Sequence, residues 1–166
     1  MSQLFVSLTL VISIITVILA YCNYRLNRIL NIKNQLYNEK LKLYRKISKK
    51  IAELIFFIDK REDVLAKHLK GNDQSNNLLL IAEKIDSDVR GIEILMIEAH
   101  MLAPLTILSL MQEFTDCVYI SYPEMHRKDV FEEYIEATNK LRNQGENLIE
   151  FFREDLRVAK LNKSIF

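Results

Sequence analysis

The sequence contains few of the residues that break helices. Among its 166 residues there are three Gly and two Pro, and Trp is absent. A fold built from many short strands and tight turns uses far more glycine and proline, so the composition argues against such a fold. Leu, Ile, Lys, Glu and Asn dominate instead, over long stretches without a breaker. We therefore predict an all-α protein.

Cysteine and the residue groups of common active sites are also scarce. Cys22 and Cys117 stand far apart in the chain, which predicts neither a disulfide framework nor a metal site. His100 has no neighbours that would complete a metal site. The sequence has no Gly-rich phosphate loop, no paired carboxylates and no Ser/His/Asp constellation. The prediction is therefore no metal and no cofactor.

Charge is absent from the first 24 residues. Residues 4–22 are apolar and, at ~1.5 Å per residue, long enough to cross a hydrocarbon core of ~30 Å. A cleaved signal peptide is the main alternative, but Met1, Ser2 and Gln3 supply no basic n-region. We predict that residues 1–24 form a retained transmembrane helix.

Basic residues follow this segment at once. Residues 25–50 hold nine Lys or Arg against a single acidic residue, Glu39, which gives +8, whereas residues 51–166 carry −7. No basic residue precedes the span, so the positive-inside rule places the C-terminal part in the cytoplasm and the N-terminus outside. We expect Arg25, Arg28 and Lys33 to contact lipid headgroups. RNA is a second ligand that this basic segment suits.

A polar column runs along one face of the predicted span and continues beyond it. At about 100° per residue its members lie within roughly ±40° of one direction. The column consists of Thr9, Ser13, Thr16, Ala20, Asn23, Asn27, Asn31, Asn34 and Asn38.

Uncharged polar side chains are poorly placed against lipid tails, which points to two roles for the polar column. It forms either a seam between copies of the chain, closed by small residues and paired amides, or the lining of a water-filled channel. The alternative is a solvated face of an exposed helix. That alternative accounts for Asn31 to Asn38 but not for the positions at membrane depth.

Helical periodicity continues through the rest of the chain. No Gly or Pro interrupts residues 1–70, which predicts one helix from the membrane to about Lys70. Residues 71–77 form the clearest loop, and further helices are predicted over 78–101, 105–121 and about 128–160, with a bend at Gly145. The predicted parts are a transmembrane helix (1–24), a basic juxtamembrane helix (25–50) and a cytoplasmic bundle (51–166), with about four helices in all.

Arg61 and His68 enclose six residues, which fits the R-x4–6-H spacing of HEPN ribonucleases. In such a site the His acts as general acid or base, and the Arg stabilises the phosphorane or orients the His. Two features depart from the motif's usual setting, because the pair lies early in the chain and Glu62 follows the Arg. The alternative places both side chains on an exposed surface.

The layout as a whole resembles the small membrane accessory protein of type VI-B CRISPR loci. The features that carry the resemblance are the uncharged segment 4–22, the basic helix 25–50, the bundle that follows, and the Arg61 and His68 pair. The resemblance implies a HEPN-like bundle in the bacterial inner membrane. It also implies a homo-oligomeric pore that enhances the antiviral effect of an RNA-guided RNA nuclease by depolarising the membrane, with a HEPN-like site that need not be catalytic.

Three hypotheses therefore stand side by side. The first is the membrane pore, whose partners are further copies of the chain in a ring, membrane lipids and an RNA-guided RNA nuclease. The second is a membrane-tethered ribonuclease that acts through Arg61 and His68. The third is a non-catalytic anchor or scaffold whose bundle docks a cytoplasmic partner.

Overall fold

The computed structural model describes residues 2–71, 73–124 and 131–164, with side chains over 9–71, 73–119 and 133–157. The described residues form four helices and no strand, so the all-α prediction is confirmed. The helices are α1 (Ser2–Leu69), α2 (Ser75–Ala99), α3 (Leu105–Glu124) and α4 (Phe131–Ser164).

Helix α1 is a single element of 68 residues, as the absence of breakers predicts. At ~1.5 Å per residue it is roughly 100 Å long. It ends where Gly71 adopts a φ of 94°, a left-handed conformation that favours glycine. The Gly71 amide donates to the carbonyl of His68 at 3.0 Å, which satisfies one of the last carbonyl groups of the helix.

The N-terminal part of α1 stands apart from the other helices. It is long and apolar enough to span a membrane, and its most apolar stretch is wholly unburied. Large side chains such as Ile12, Val17 and Leu19 are each more than half exposed. A continuous apolar surface of this kind is typical of a segment that contacts lipid or another protein.

The remaining part of the chain is a four-helix bundle. Helix α1 packs against α2 and α4, and α3 packs against the same two helices. Among the described residues the diagonal pairs, α1 with α3 and α2 with α4, do not pack together. Each helix therefore neighbours those before and after it in sequence, as in an up-and-down bundle. On α1 the core contains Leu43, Tyr44, Ile47, Ile51, Leu54, Ile58 and Leu65.

The helix boundaries differ from the predicted ones by a few residues. Helix α2 begins at Ser75, three residues early, and is preceded by a turn in which Asp73 Oδ1 accepts a hydrogen bond from the Ser75 amide at 3.1 Å. Helix α3 reaches Glu124 rather than ending at Ser121. The described part of α4 begins at Phe131 and continues to Ser164, beyond the predicted end at Lys160.

Gly145 lets α4 approach α1 closely. A Cβ atom placed on it would lie 3.0 Å from Cγ2 of Ile51 and 3.0 Å from Cδ1 of Ile55. The sequence suggested a bend at this glycine, but its visible role is to leave room for two isoleucine side chains.

We predict that Gly145→Leu lowers the free energy of unfolding by about 1–3 kcal/mol, because a side chain here overpacks the contact between α1 and α4. Urea denaturation in mild detergent, followed by circular dichroism, measures the change. Asn143→Leu, on the exposed face of the same helix, is the matched control. Equal stability of the two variants would contradict a packing role for Gly145.

Candidate functional site

The polar column faces away from the bundle of its own chain. At the same spacing beyond Asn38 the column leads to Arg45, Lys49, Ala52 and Phe56, all of which are exposed. The core residues of α1 lie roughly 150° around the helix from this direction. The apolar part of α1 and the outer face of the bundle therefore share one continuous surface.

The asparagines of the column are not equivalent. Asn23, Asn27, Asn31 and Asn38 are exposed, whereas Asn34 is half buried. The Oδ1 atom of Asn34 is inaccessible and accepts no hydrogen bond in the described part of the chain. Asn34 is thus partly covered, although it lies only about 20° from the direction of the column, and the other four asparagines are exposed.

Two hydroxyl groups of the predicted span are hydrogen-bonded inside α1. Ser13 Oγ donates to the carbonyl of Thr9 at 2.9 Å, and Thr16 Oγ1 donates to that of Ile12 at 2.8 Å. Such bonds to the preceding turn allow Ser and Thr to face lipid without an orphaned donor. The groups of the column that still need hydrogen-bond partners are therefore mainly its amides. Ser13 and Thr16 act as small residues that allow close helix packing.

The three predicted headgroup contacts fall into two groups. Arg25 and Arg28 are exposed and lie within about 6 Å, along the helix axis, of Tyr24 at the end of the uncharged segment. Lys33 is half buried and about 14 Å beyond Tyr24. The two arginines are better placed for headgroups than the lysine, since the headgroup layer is only several ångströms thick.

The C-terminal half of the basic segment is neutralised by carboxylates of the bundle or of its own helix. Five lysines form ion pairs there, at distances of 2.6 to 3.7 Å. They are Lys40 with Asp155, Lys42 with Glu39, Lys46 with Glu98, Lys49 with Glu53 and Lys50 with Asp88. Lipid and RNA must compete with these carboxylates, most of all at Lys40 and Lys50, whose ion pairs are 2.6 and 2.8 Å long.

One of these carboxylates, Asp155, joins α4 to the basic segment of α1. Its Oδ2 atom accepts from the Tyr44 hydroxyl at 2.6 Å and pairs with Lys40 Nζ at 2.6 Å. The Tyr44 ring stacks on Phe152, with centroids 4.4 Å apart. Burial and the neighbouring carboxylate both raise the pKa of Tyr44. The bundle therefore begins before residue 50 and includes the end of the basic helix.

Arg61 is buried, which corrects the interpretation of the Arg61 and His68 pair as two surface residues. Its side chain is 3% exposed, and its guanidinium carbon lies 5.9 Å from the centroid of the Tyr134 ring. Arg61 is in phase with Ile58 and Leu65 on the core stripe of α1. The spacing of Ile58, Arg61 and Leu65 can be read from the sequence, and it indicates that Arg61 is buried.

His68 is half buried and takes part in the turn that follows α1. Its Nδ1 atom accepts a hydrogen bond from the Gln74 amide at 3.2 Å, so a neutral His68 carries its proton on Nε2. Arg61 lies two helical turns away, about 10 Å along the axis. Arg61 is buried in the core, whereas His68 hydrogen-bonds the turn that follows α1. A site shared between copies would need an accessible Arg61, so the catalytic role of this pair stays a prediction without support from the geometry.

A groove between α1 and α2 is a feature that the sequence did not indicate. It encloses about 360 Å³ and is lined by Lys46, Lys49, Lys50, Glu53, Gly91, Ile94 and Leu95. Beneath it the fully buried Asp88 accepts from Lys50 Nζ at 2.8 Å and Lys84 Nζ at 3.0 Å. The hydrogen bonds that Lys50 donates to Asp88 and to Glu53 raise the pKa of Lys50. Lys50, which belongs to the basic segment 25–50, thus links α1 to α2.

Comparison with models of protein families, with curated proteins and with solved structures found no match. The likeness to accessory proteins of type VI-B CRISPR loci therefore depends on the layout of the chain alone. Among the described residues, no group of His, Cys, Asp and Glu side chains is arranged to hold a metal ion.

We predict that Arg61→Ala lowers the free energy of unfolding by about 2–4 kcal/mol, because it leaves a cavity beside Tyr134 and removes the cation from its ring. Arg153→Ala, on the exposed face of α4, should change it by less than about 0.5 kcal/mol. Denaturation of both variants in detergent measures the difference. An Arg61→Ala variant as stable as the parent would contradict a structural role.

Tyr134 makes stability depend on pH in the alkaline range. Burial raises its pKa from 10.0 to about 12, and its hydroxyl donates to the carbonyl of Ile58 at 3.0 Å. Below pH 10 the tyrosine is protonated in both the folded and the unfolded chain, so its contribution is fully present. Between pH 10 and 12 only the unfolded chain loses the proton, which lowers the stability of the fold.

We therefore expect the free energy of unfolding to fall by about 2–3 kcal/mol through this tyrosine as the pH rises from 10 to beyond 12. The quantity to measure is the difference between the parent and Tyr134→Phe, which cancels the contributions of other tyrosines, Tyr44 included. A difference that stays constant from pH 8 to 12 would show that Tyr134 is not held in its neutral form.

Proposed function

We propose that this chain is the subunit of a homo-oligomeric pore in the bacterial inner membrane, with the N-terminus outside and the bundle in the cytoplasm. The observation that carries the proposal is the direction of the polar column, which is opposite to the bundle core. In a ring of parallel α1 helices, the columns can all face the axis while the bundles lie outside. The bundles then do not obstruct the path.

The chemistry of the column suits a path for ions and water. Asn23, Asn27 and Asn31 present exposed amides at and just beyond the predicted membrane boundary. Amides hydrate ions of either sign, so such a path discriminates little by charge. Within the span, Ser13 and Thr16 are small and internally hydrogen-bonded, which favours close approach of neighbouring helices.

The biological role in this proposal comes from the resemblance to the accessory protein of type VI-B CRISPR loci. Opening the pore would permeabilise or depolarise the inner membrane and so enhance antiviral defence by an RNA-guided RNA nuclease. The two exposed arginines, Arg25 and Arg28, would anchor the cytoplasmic mouth to anionic headgroups. Arg61 then serves the bundle core, and no ribonuclease step is required.

A non-catalytic anchor or scaffold is the second candidate function. It is favoured by the hydrogen bonds of Ser13 and Thr16 to the preceding turn, because these satisfy both hydroxyl donors within the helix and so suit a single helix in lipid. The mass of the protein in mild detergent separates the candidates, since a pore needs several copies and an anchor needs one.

We predict that Asn27→Asp shifts the ion selectivity of the purified protein in planar bilayers towards cations and that Asn27→Lys shifts it towards anions. Each copy in the ring would add one charge to the path, and such a ring of charges attracts the opposite ion. Reversal potentials under a salt gradient measure the shift. Ile29→Asp is the matched control, because Ile29 lies on the opposite side of α1.

Equal reversal potentials for both Asn27 variants and the parent would remove the lining role of the column. A parent protein that is monomeric in mild detergent, or that passes no current, would exclude the pore itself.

A further inference from the structure

The order of helices in the bundle determines which surfaces of neighbouring copies can meet. Helices α2 and α4 flank α1 on its two sides, and α3 lies diagonally across from it. With the polar column of α1 towards the axis of a ring, α3 lies at the outer edge. Helices α2 and α4 then point towards the two adjacent copies.

The surface on the α2 side is apolar with a basic rim. It contains the groove between α1 and α2, in which Ile94 is 61% exposed, and continues to Ile97, which is 72% exposed. Lys46 and Lys49 stand at its edge. Their ion pairs with Glu98 and Glu53 are both 3.7 Å long, and both lysine side chains are well exposed, so these pairs are weak.

The surface on the α4 side is the chemical complement of this groove. Phe151 is 43% exposed there, beside the exposed carboxylates of Glu150 and Glu154. Within the part of the chain that the structure describes, neither glutamate forms an ion pair. An exposed aromatic ring beside two carboxylates that form no ion pair among the described residues suits an apolar groove rimmed by lysines.

The two surfaces also lie at the same height above the membrane. Lys46 pairs with Glu98 of α2, and Tyr44 stacks on Phe152 of α4, which places Ile94 and Phe151 within about one helical turn of each other along α1. Copies that cross one membrane with parallel α1 helices can join in a ring only through surfaces at equal height. This condition is met without tilting the bundles.

We propose that the groove of one copy binds Phe151, Glu150 and Glu154 of the next copy, so that subunits join head to tail. This inference depends on the proposed function, because it takes the orientation of the ring from the polar column. The Phe151 ring packs on Ile94, and the two glutamates pair with Lys46 and Lys49. A contact between two different surfaces of the same chain propagates around an axis and can close into a ring.

Charge reversal tests the contact. We expect loss of the oligomer in mild detergent for the groove variant, Lys46→Glu with Lys49→Glu, and for the α4 variant, Glu150→Lys with Glu154→Lys. All four substitutions in one chain should restore the parent mass, because every contact again joins opposite charges. Glu133→Lys with Glu136→Lys, exposed on the same helix about four to five turns away, is the control and should leave the mass unchanged.

Disulfide cross-linking provides a second measurement that does not depend on charge. In a Cys22→Ser background, a chain that carries Ile94→Cys and Phe151→Cys should form covalent ladders of copies on oxidation. A chain with Ile94→Cys and Glu133→Cys should remain single, because these positions differ in height. Ladders from the control pair, or none from the test pair, would overturn the contact.

The results separate this contact from the pore. An oligomer that withstands both reversals would overturn the contact and leave the proposed function intact. A parent chain that is monomeric in the same detergent would overturn both. Loss in each reversal variant with recovery in the fourfold variant would support the contact as described.

Discussion

The continuity of α1 is the constraint on which the rest of the structure depends. One helix of 68 residues passes from the apolar segment to the end of the first bundle helix. A continuous helix preserves the angular relation between its faces, so the stripe that packs into the bundle core decides which stripe of the apolar segment points away from the bundle. Because the core stripe includes Tyr44, Ile47 and Ile51, the polar column points away from the bundle.

Attachment of α4 and α2 to α1 gives the basic segment a second role. Asp155 joins α4 to Tyr44 and Lys40, and the buried Asp88 joins α2 to Lys50. These contacts neutralise positive charge that the linear sequence places after the apolar segment. They also set α2 and α4 at defined heights on α1, which brings an apolar groove and an acidic aromatic surface to the same level on opposite sides of the bundle.

Several features were readable from the residues alone, and others were not. The absence of Gly and Pro from residues 1–70 predicted the long helix, and Gly71 marked its end. The burial of Arg61 was missed because a charged residue is normally expected at the surface. Its position on the core stripe after Ile58 indicated burial. The packing role of Gly145 was missed because it depends on Ile51 and Ile55, which are about ninety residues away in sequence.

The sequence by itself determined the helical class, the apolar segment, the division of charge and the phase of the polar column, because each follows from local composition or from the period of one helix. Only the tertiary structure decided that the column faces away from the core, that five lysines are paired, and that the groove and Phe151 lie at one height. These depend on which helices become neighbours. Which helices become neighbours is set by the combined packing of all four helices, and no single stretch of the sequence encodes it.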